Sequence, residues 1–269
     1  MNQSQPFDHV ARDYDATFTE TETGKLQRKQ VYAHLNKLLQ NTDLQSVLEI
    51  NCGTGVDACW LAQKGKTVLA TDISPEMVAV AKAKAEHLPE EIRQHLQFSC
   101  QSITNLDSDI SYDLVFSNFG GLNCLSPEEL QVFLEKSTSL VRPGGWLVVV
   151  IMGRFCWWET LYFSLKGQFT TAWRRLRRTP TMARLEDQSS IATWYYSPDD
   201  VLQDLAQFEN PLVRPIGFFV PPSYLEPFFE KRPHLLRFLN GLERVIQNWS
   251  WAASGSDHCY LAVKRSKGK

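Results

Sequence analysis

Val47-Leu48-Glu49-Ile50-Asn51-Cys52-Gly53-Thr54-Gly55, followed by an apolar run ending in Thr71-Asp72-Ile73-Ser74, reads as strand, glycine turn, helix, strand, acid. That order builds a nucleotide pocket at the carboxyl ends of parallel strands. Gly53 and Gly55 allow a sharp turn and a close approach of backbone to ligand. Asp72, 19 residues after Gly53, stands where an acid ending the second strand can grip a ribose diol.

Gly53-Thr54-Gly55-Val56-Asp57-Ala58 satisfies the G-x-G-x-x-A fingerprint of dinucleotide enzymes. Glu49 argues against that reading, because a pyrophosphate seeks helix N-terminal N–H groups free of a competing carboxylate. A cationic sulfonium with a free ammonium favours an acid at that place. The segment resembles the first motif of class I S-adenosylmethionine-dependent methyltransferases, acid-x-G-x-G-x-G, with Asn51 replacing the first glycine; asparagine tolerates left-handed backbone angles better than most residues.

The resemblance continues in order over about the first 153 residues. Gln97 to Ile103 looks like the third strand and adenine-side loop, with Ser102 where the family most often has an acid. Tyr112 to Gly121 looks like the fourth strand and its exit loop, and Leu140 to Val150 like the Pro-Gly-Gly turn into the fifth strand. Phe7 to Asp15 is similar to the N-terminal cap of small-molecule members. The resemblance implies a Rossmann-like, doubly wound α/β fold whose seven-stranded sheet is mainly parallel with an antiparallel last strand. It also implies S-adenosyl-L-methionine as cofactor, held by Tyr14, Glu49, Asn51, Gly53, Thr54, Gly55, Asp72, Ile73, Ser102, Ile103, Asn118 and Phe119.

The 269 residues fit one domain with insertions. With 43% hydrophobic and 22% charged residues and a net charge of -2, the chain has no general pull toward nucleic acid or anionic membrane. Cys52, Cys59, Cys100, Cys124, Cys156 and Cys259 form neither a C-x-x-C pair nor zinc spacing, and read as reduced and buried; no metal site is expected. The N-terminus lacks a signal pattern, and the densest apolar run, Trp146 to Met152, is far shorter than the roughly 20 residues that span a bilayer, so a cytoplasmic location is expected.

Leu26, Val31, Leu35 and Leu38/Leu39 give a helix over residues 25–40, the main part of a cap over 1–45. Within a cofactor-binding core over 46–153, helices are expected from Asp57 to Lys64, from Ser74-Pro75 through Ala85, and from Ser126-Pro127 to Val141. Residues 154–195 form an aromatic and basic lid insertion with Trp157, Trp158, Tyr162 and Phe163, followed by Arg174 to Arg178, which reads as a solvated basic face rather than a phosphate or membrane patch. Ser197 caps a helix from Val201 to Gln207, a strand runs from Val213 to Val220, and a second insertion covers 222–252. The last strand, Cys259 to Lys264, is expected to close the sheet edge.

Methyl transfer needs mainly alignment, and a base only when the acceptor must lose a proton. His258, His9, Tyr195 and Tyr224 are the candidate catalytic residues. Pro221-Pro222-Ser223-Tyr224 evokes the Asn/Asp-Pro-Pro-Tyr signature of nucleic-acid amino methyltransferases, yet that signature belongs after the fourth strand, where Ser117-Asn118-Phe119-Gly120 stands. The reading is methyl transfer from S-adenosylmethionine to a small or lipophilic molecule at oxygen, nitrogen or carbon, with peripheral membrane contact allowed. The alternatives are an RNA methyltransferase resting on Arg174 to Arg178, and a non-catalytic cofactor-binding module.

Overall fold

The computed structural model describes residues 5–106, 109–184 and 190–267. After two single-turn elements, Asp8–Val10 and Asp15–Thr19, α1 spans Glu22–Asn41 and leads into alternating strands and helices: β1 Ser46–Ile50, α2 Val56–Gln63, β2 Thr67–Asp72, α3 Pro75–Glu86, α4 Glu90–Arg93, β3 Leu96–Cys100, β4 Tyr112–Ser117, α5 Pro127–Leu140 and β5 Val141–Met152. The lid region follows with α6 Trp157–Leu165, α7 Phe169–Ala172 and the hairpin β6 Thr181–Arg184 and β7 Ser190–Thr193. Then come α8 Pro198–Leu202, β8 Phe208–Ile216, α9 Glu226–Phe229, α10 Pro233–Ile246 and β9 His258–Arg265.

Seven strands form one sheet in the order β3-β2-β1-β4-β5-β9-β8. The first five are parallel, and β9 runs antiparallel to both β5 and β8. Val47, Leu48 and Ile50 on β1, and Leu114, Val115 and Phe116 on β4, are fully buried because helices cover both faces of the sheet, as parallel strands require. One apolar core joins α1, α2 and α3 to one face; the other joins α5 and α8 to the opposite face. Ser74 caps α3 by accepting from Met77 N–H at 3.1 Å, and Ser126 with Glu129, and Ser197 with Asp200, form reciprocal capping boxes.

Three expectations are corrected here. The last strand does not close the edge: β9 lies between β5 and β8, and β8 is the edge. The Arg174–Arg178 run is not one solvated face, because Arg174 and Arg175 both pair with the buried Glu159, at 2.7 and 2.9 Å, and Arg175 also pairs with Asp257 at 2.7 Å. Cys100 is exposed and Cys124 half-buried, whereas the other four cysteines are buried.

The segments read as lid and second insertion pack on each other, with Trp158 against Phe229 and Tyr162 against Tyr224 at ring separations of 5.7 and 5.8 Å. Residues 1–4 of the expected cap and 185–189 of the expected lid lie outside the described residues.

Candidate functional site

A cavity of about 340 Å³ opens at the carboxyl ends of β1, β2 and β4, the crevice where a strand order of this kind leaves room for a ligand. Asn51, Gly53 and Gly55 all take left-handed angles, with φ of 55°, 53° and 74°. A Cβ on Gly53 would meet nothing within 4 Å, so its backbone faces open space, while a Cβ on Gly55 would collide with α3. Asp72 is fixed at the end of β2 by two backbone donors, Gly53 N–H to Oδ2 and Ser74 N–H to Oδ1, both at 2.9 Å. Each carboxylate oxygen keeps lone-pair capacity for a ligand hydroxyl. Burial, against those N–H donors, raises its pKa above the ordinary aspartate value.

Past β4, Phe119 adopts a positive φ of 43°, a strained angle for an aromatic residue, before Gly120 at 76°. Its ring lines the cavity, with the Arg28 guanidinium 4.9 Å from its centre. Arg28, from α1, pairs with Asp57 at the start of α2; Asp57 also accepts from Tyr32 Oη at 2.6 Å and Asn118 Nδ2 at 2.9 Å. The cavity thus has a polar end built from three separate elements.

The N-terminal segment is latched over this cavity. Asp15 accepts from Thr54 Oγ1 and from Lys84 Nζ, both at 2.6 Å, and Asp8 accepts from Ser74 Oγ at 2.5 Å. Between these latches Tyr14 lines the cavity, stacked on Phe18 at 5.0 Å. Burial raises the Asp15 pKa, but the bonds from Lys84 and Thr54 prevail and leave it below the usual carboxylate range. The latch is therefore complete above the ordinary aspartate pKa and is lost as pH falls through the lower folded value. Asp15→Ala is expected to speed amide exchange over residues 8–19 about fivefold, the ~1 kcal/mol of a part-exposed charged pair, with α3 and β2 unaffected. Hydrogen-exchange mass spectrometry reads both regions.

Of the sequence-derived cofactor residues, Tyr14, Asn51, Gly53, Thr54, Asp72, Ile73, Ser102, Ile103, Asn118 and Phe119 line the cavity. Glu49 and Gly55 do not. Glu49 is buried beneath the floor, where burial first and the neighbouring Asp57 second raise its pKa well above the glutamate range. Gly55 packs against α3.

None of the four catalytic candidates lines the cavity. His258 stands behind Phe119, edge to face at 5.2 Å, with Nδ1 3.3 Å from Asp257. His9 is exposed, Tyr195 is buried under Arg175, and Tyr224 stacks on the lid aromatics Tyr162 and Phe163. Arg28, Asp57, Phe7, Thr19 and Cys124 line the cavity without having been assigned to the site from the sequence. Arg28 lies nearly two turns into α1 beside Lys25 and Lys29, so residue type alone did not single it out.

Residues 47–145 match the family described as a methyltransferase domain. Over 192 residues the chain is 24% identical to malonyl-[acyl-carrier protein] O-methyltransferase 1 of Ilyobacter polytropus, spanning 70% of this chain and 64% of that protein. Over 168 residues it is 34% identical to demethylmenaquinone methyltransferase of Beutenbergia cavernae, spanning 61% and 65%. The chain thus covers a little under two thirds of the length of these curated relatives. The solved structure of magnesium protoporphyrin IX methyltransferase from Synechocystis, with bound S-adenosylhomocysteine, aligns over 97% of this chain and 96% of that one, with a TM-score of 0.59 at 17% identity. The sequence likeness falls on the same strands and turn that build the cavity, and over residues 47–145 the chain carries a methyltransferase domain, in a fold like that of solved S-adenosylmethionine-dependent methyltransferases.

Proposed function

We propose that this protein transfers the methyl group of S-adenosyl-L-methionine to a small, predominantly apolar acceptor whose nucleophilic atom is already ionised or activated on arrival. The observation that carries this is the division of the cavity. Asp72 and the open backbone of Gly53 stand at one side, with apolar Ile73, Met77 and Ile103 beside them, and Arg28, Asn51 and Asn118 stand at the other. Those residues fit the cofactor: Asp72 has lone pairs for ribose hydroxyls, the apolar residues suit a flat base, and the buried Arg28 Nε and Asn51 Nδ2, without partners in the structure, suit an amino-acid end.

When bound, the cofactor supplies an electrophilic methyl on a sulfonium. The chain aligns the acceptor and excludes water with Tyr14, Phe119, Leu125 and Ile191. Besides Asp72, which the ribose of the cofactor would occupy, no group among the described lining residues is placed to take a proton at neutral pH. Burial pushes both Tyr14 and Cys124 up to about 12, Asp57 is held by three donors, and Glu129 caps α5. An acceptor that arrives as a carboxylate or an acidic phenol needs no such group. The relatives named for malonyl-[acyl-carrier protein] and demethylmenaquinone support a small acceptor.

Calorimetry with S-adenosylmethionine and S-adenosylhomocysteine is expected to show binding that Asp72→Ala weakens about 10- to 100-fold, the loss of charge-assisted ribose bonds. The pH profile of kcat is expected to follow the acceptor's own pKa. No binding of either ligand overturns the proposal, and so does binding without S-adenosylhomocysteine formation from any carboxylate or phenol acceptor.

A further inference from the structure

The helix α10 carries two apolar stripes where packing uses one. Leu236, Leu239 and Ile246 turn inward, and with Leu225, Phe229 and the lid residue Trp158 the first two make a small core of their own. Glu243 lies on the same inward face, its carboxylate accepting from the backbone N–H groups of Phe218, Phe219 and Val220. Leu235, Phe238, Leu242 and Val245 repeat the same spacing one residue earlier, which places them about 100° around the helix from the inward stripe. Leu235, Phe238 and Val245 are exposed, Phe238 at 62% and Val245 at 65%. Trp249 and Trp251, just beyond the helix, are exposed as well. The lid that packs on this insertion adds Leu165 at 80% and Phe169 at 62%. A solvated helix gains nothing from so much outward apolar surface.

The charges around these residues are one-sided, in a chain whose net charge is -2. Lys166, Arg177, Arg178, Lys231, Arg237 and Arg244 are exposed. The described acids of the same segments are mostly engaged inward. Glu159 is buried against Arg174 and Arg175, Glu243 is buried as described, and Glu226 accepts from the N-terminal N–H groups of α1 at 2.9 and 3.0 Å. Among the described residues of these segments, Glu230 is the acid left exposed.

We propose that the outward stripe of α10 with the adjoining lid is a docking surface for an anionic lipid bilayer, the helix lying in the interface with Phe238, Trp249 and Trp251 inserted and Arg237 and Arg244 at headgroup level. An exposed apolar stripe beside arginines, followed by tryptophans, is the composition that interfacial helices use. Nucleic acid would match the arginines and could stack on the aromatic rings, but leaves the outward leucines and Val245 unexplained. The surface lies apart from the cavity, so docking stands independently of methyl transfer.

The test is co-sedimentation of the full chain with vesicles of phosphatidylcholine alone and of phosphatidylcholine with phosphatidylglycerol. Wild type is expected to bind the anionic vesicles at least about tenfold more tightly than the neutral ones, with salt weakening the binding. Phe238→Asp/Val245→Asp is expected to remove binding, and Arg237→Glu/Arg244→Glu to remove the anionic preference. Both variants should keep the wild-type melting temperature and S-adenosylhomocysteine affinity, since neither pair touches the core or the cavity. Wild type that stays in the supernatant overturns the proposal. So does self-association abolished by Phe238→Asp/Val245→Asp, which assigns the face to a second copy, or retention by single-stranded RNA but not by vesicles.

Discussion

Arg175→Ala is expected to cost about 3–5 kcal/mol of folding stability, the penalty for leaving buried charges without their partner. Arg175 is fully buried and sits between two buried acids. Its Nε donates to Glu159 Oε2 at 3.0 Å, its Nη2 to Asp257 Oδ1 at 2.7 Å, and its Nη1 to the Asp257 carbonyl at 2.9 Å, with the Tyr195 ring 5.1 Å away. Alanine removes all of these at once, and water has no ready path to Glu159 or Asp257. Thermal unfolding is expected to fall by about 10 °C for a chain of this size. Arg175→Lys keeps a charge but cannot reach both acids with a fork, and is expected to lose an intermediate amount.

The same cluster sets an acid limit. Burial works to raise the Asp257 pKa, yet His258 and Arg175 beside it hold it far below the aspartate range. Its contribution is complete above the ordinary aspartate pKa and is lost as pH falls through the folded value. Arg175→Ala is therefore expected to flatten the acid side of the stability curve, which chemical denaturation at several pH values measures.

Gly55→Ala is expected to cost about 2–4 kcal/mol, the sum of backbone strain and overpacking. The residue holds φ at 74°, and an added Cβ would stand 2.7 Å from Ala81 Cβ and 2.8 Å from Phe98 Cε1. Neither neighbour can yield: Ala81 is fully buried on α3 and Phe98 is clamped in β3. Gly53→Ala is the control. It too needs a positive φ, but nothing stands within 4 Å of its Cβ, so the stability cost is about 1 kcal/mol, with the larger loss in cofactor affinity. Denaturant titration with and without S-adenosylhomocysteine separates the two glycines.

These two glycines also show how far the sequence could be read. Their spacing, and Asp72 after them, announced the strand-turn-helix-strand unit, because a left-handed turn and an acid at a strand end leave a local mark in residue type. The caps of α3, α5 and α8 were equally legible, since Ser-Pro is a local code. Position in the sheet was not: nothing in Cys259 to Lys264 says which two strands will flank it, and the edge was assigned to β9 when it belongs to β8. Glu49 illustrates a related limit. Its place beside the glycine turn was right, but which way a strand residue faces at the end of a sheet depends on partners far along the chain. Arg175 was hidden for the same reason. Among four arginines in five residues it looked like its neighbours, and only the return of the chain at Asp257 distinguishes it.

The interior position of β9 bears on how the molecule comes into being. Synthesis delivers β5, then the aromatic lid, β8 and α10, and only afterwards the strand that pairs with both β5 and β8. Until residues 258–265 arrive, β5 presents an open edge and β8 has no partner in the sheet, while a long loop rich in apolar side chains waits beside them. Closing such a distant contact is slow and leaves sticky surfaces uncovered in the meantime. Residues 258–265 must therefore have emerged before the fold can seal, and a nascent polypeptide stalled short of β9 becomes a client for chaperones rather than a shorter working protein.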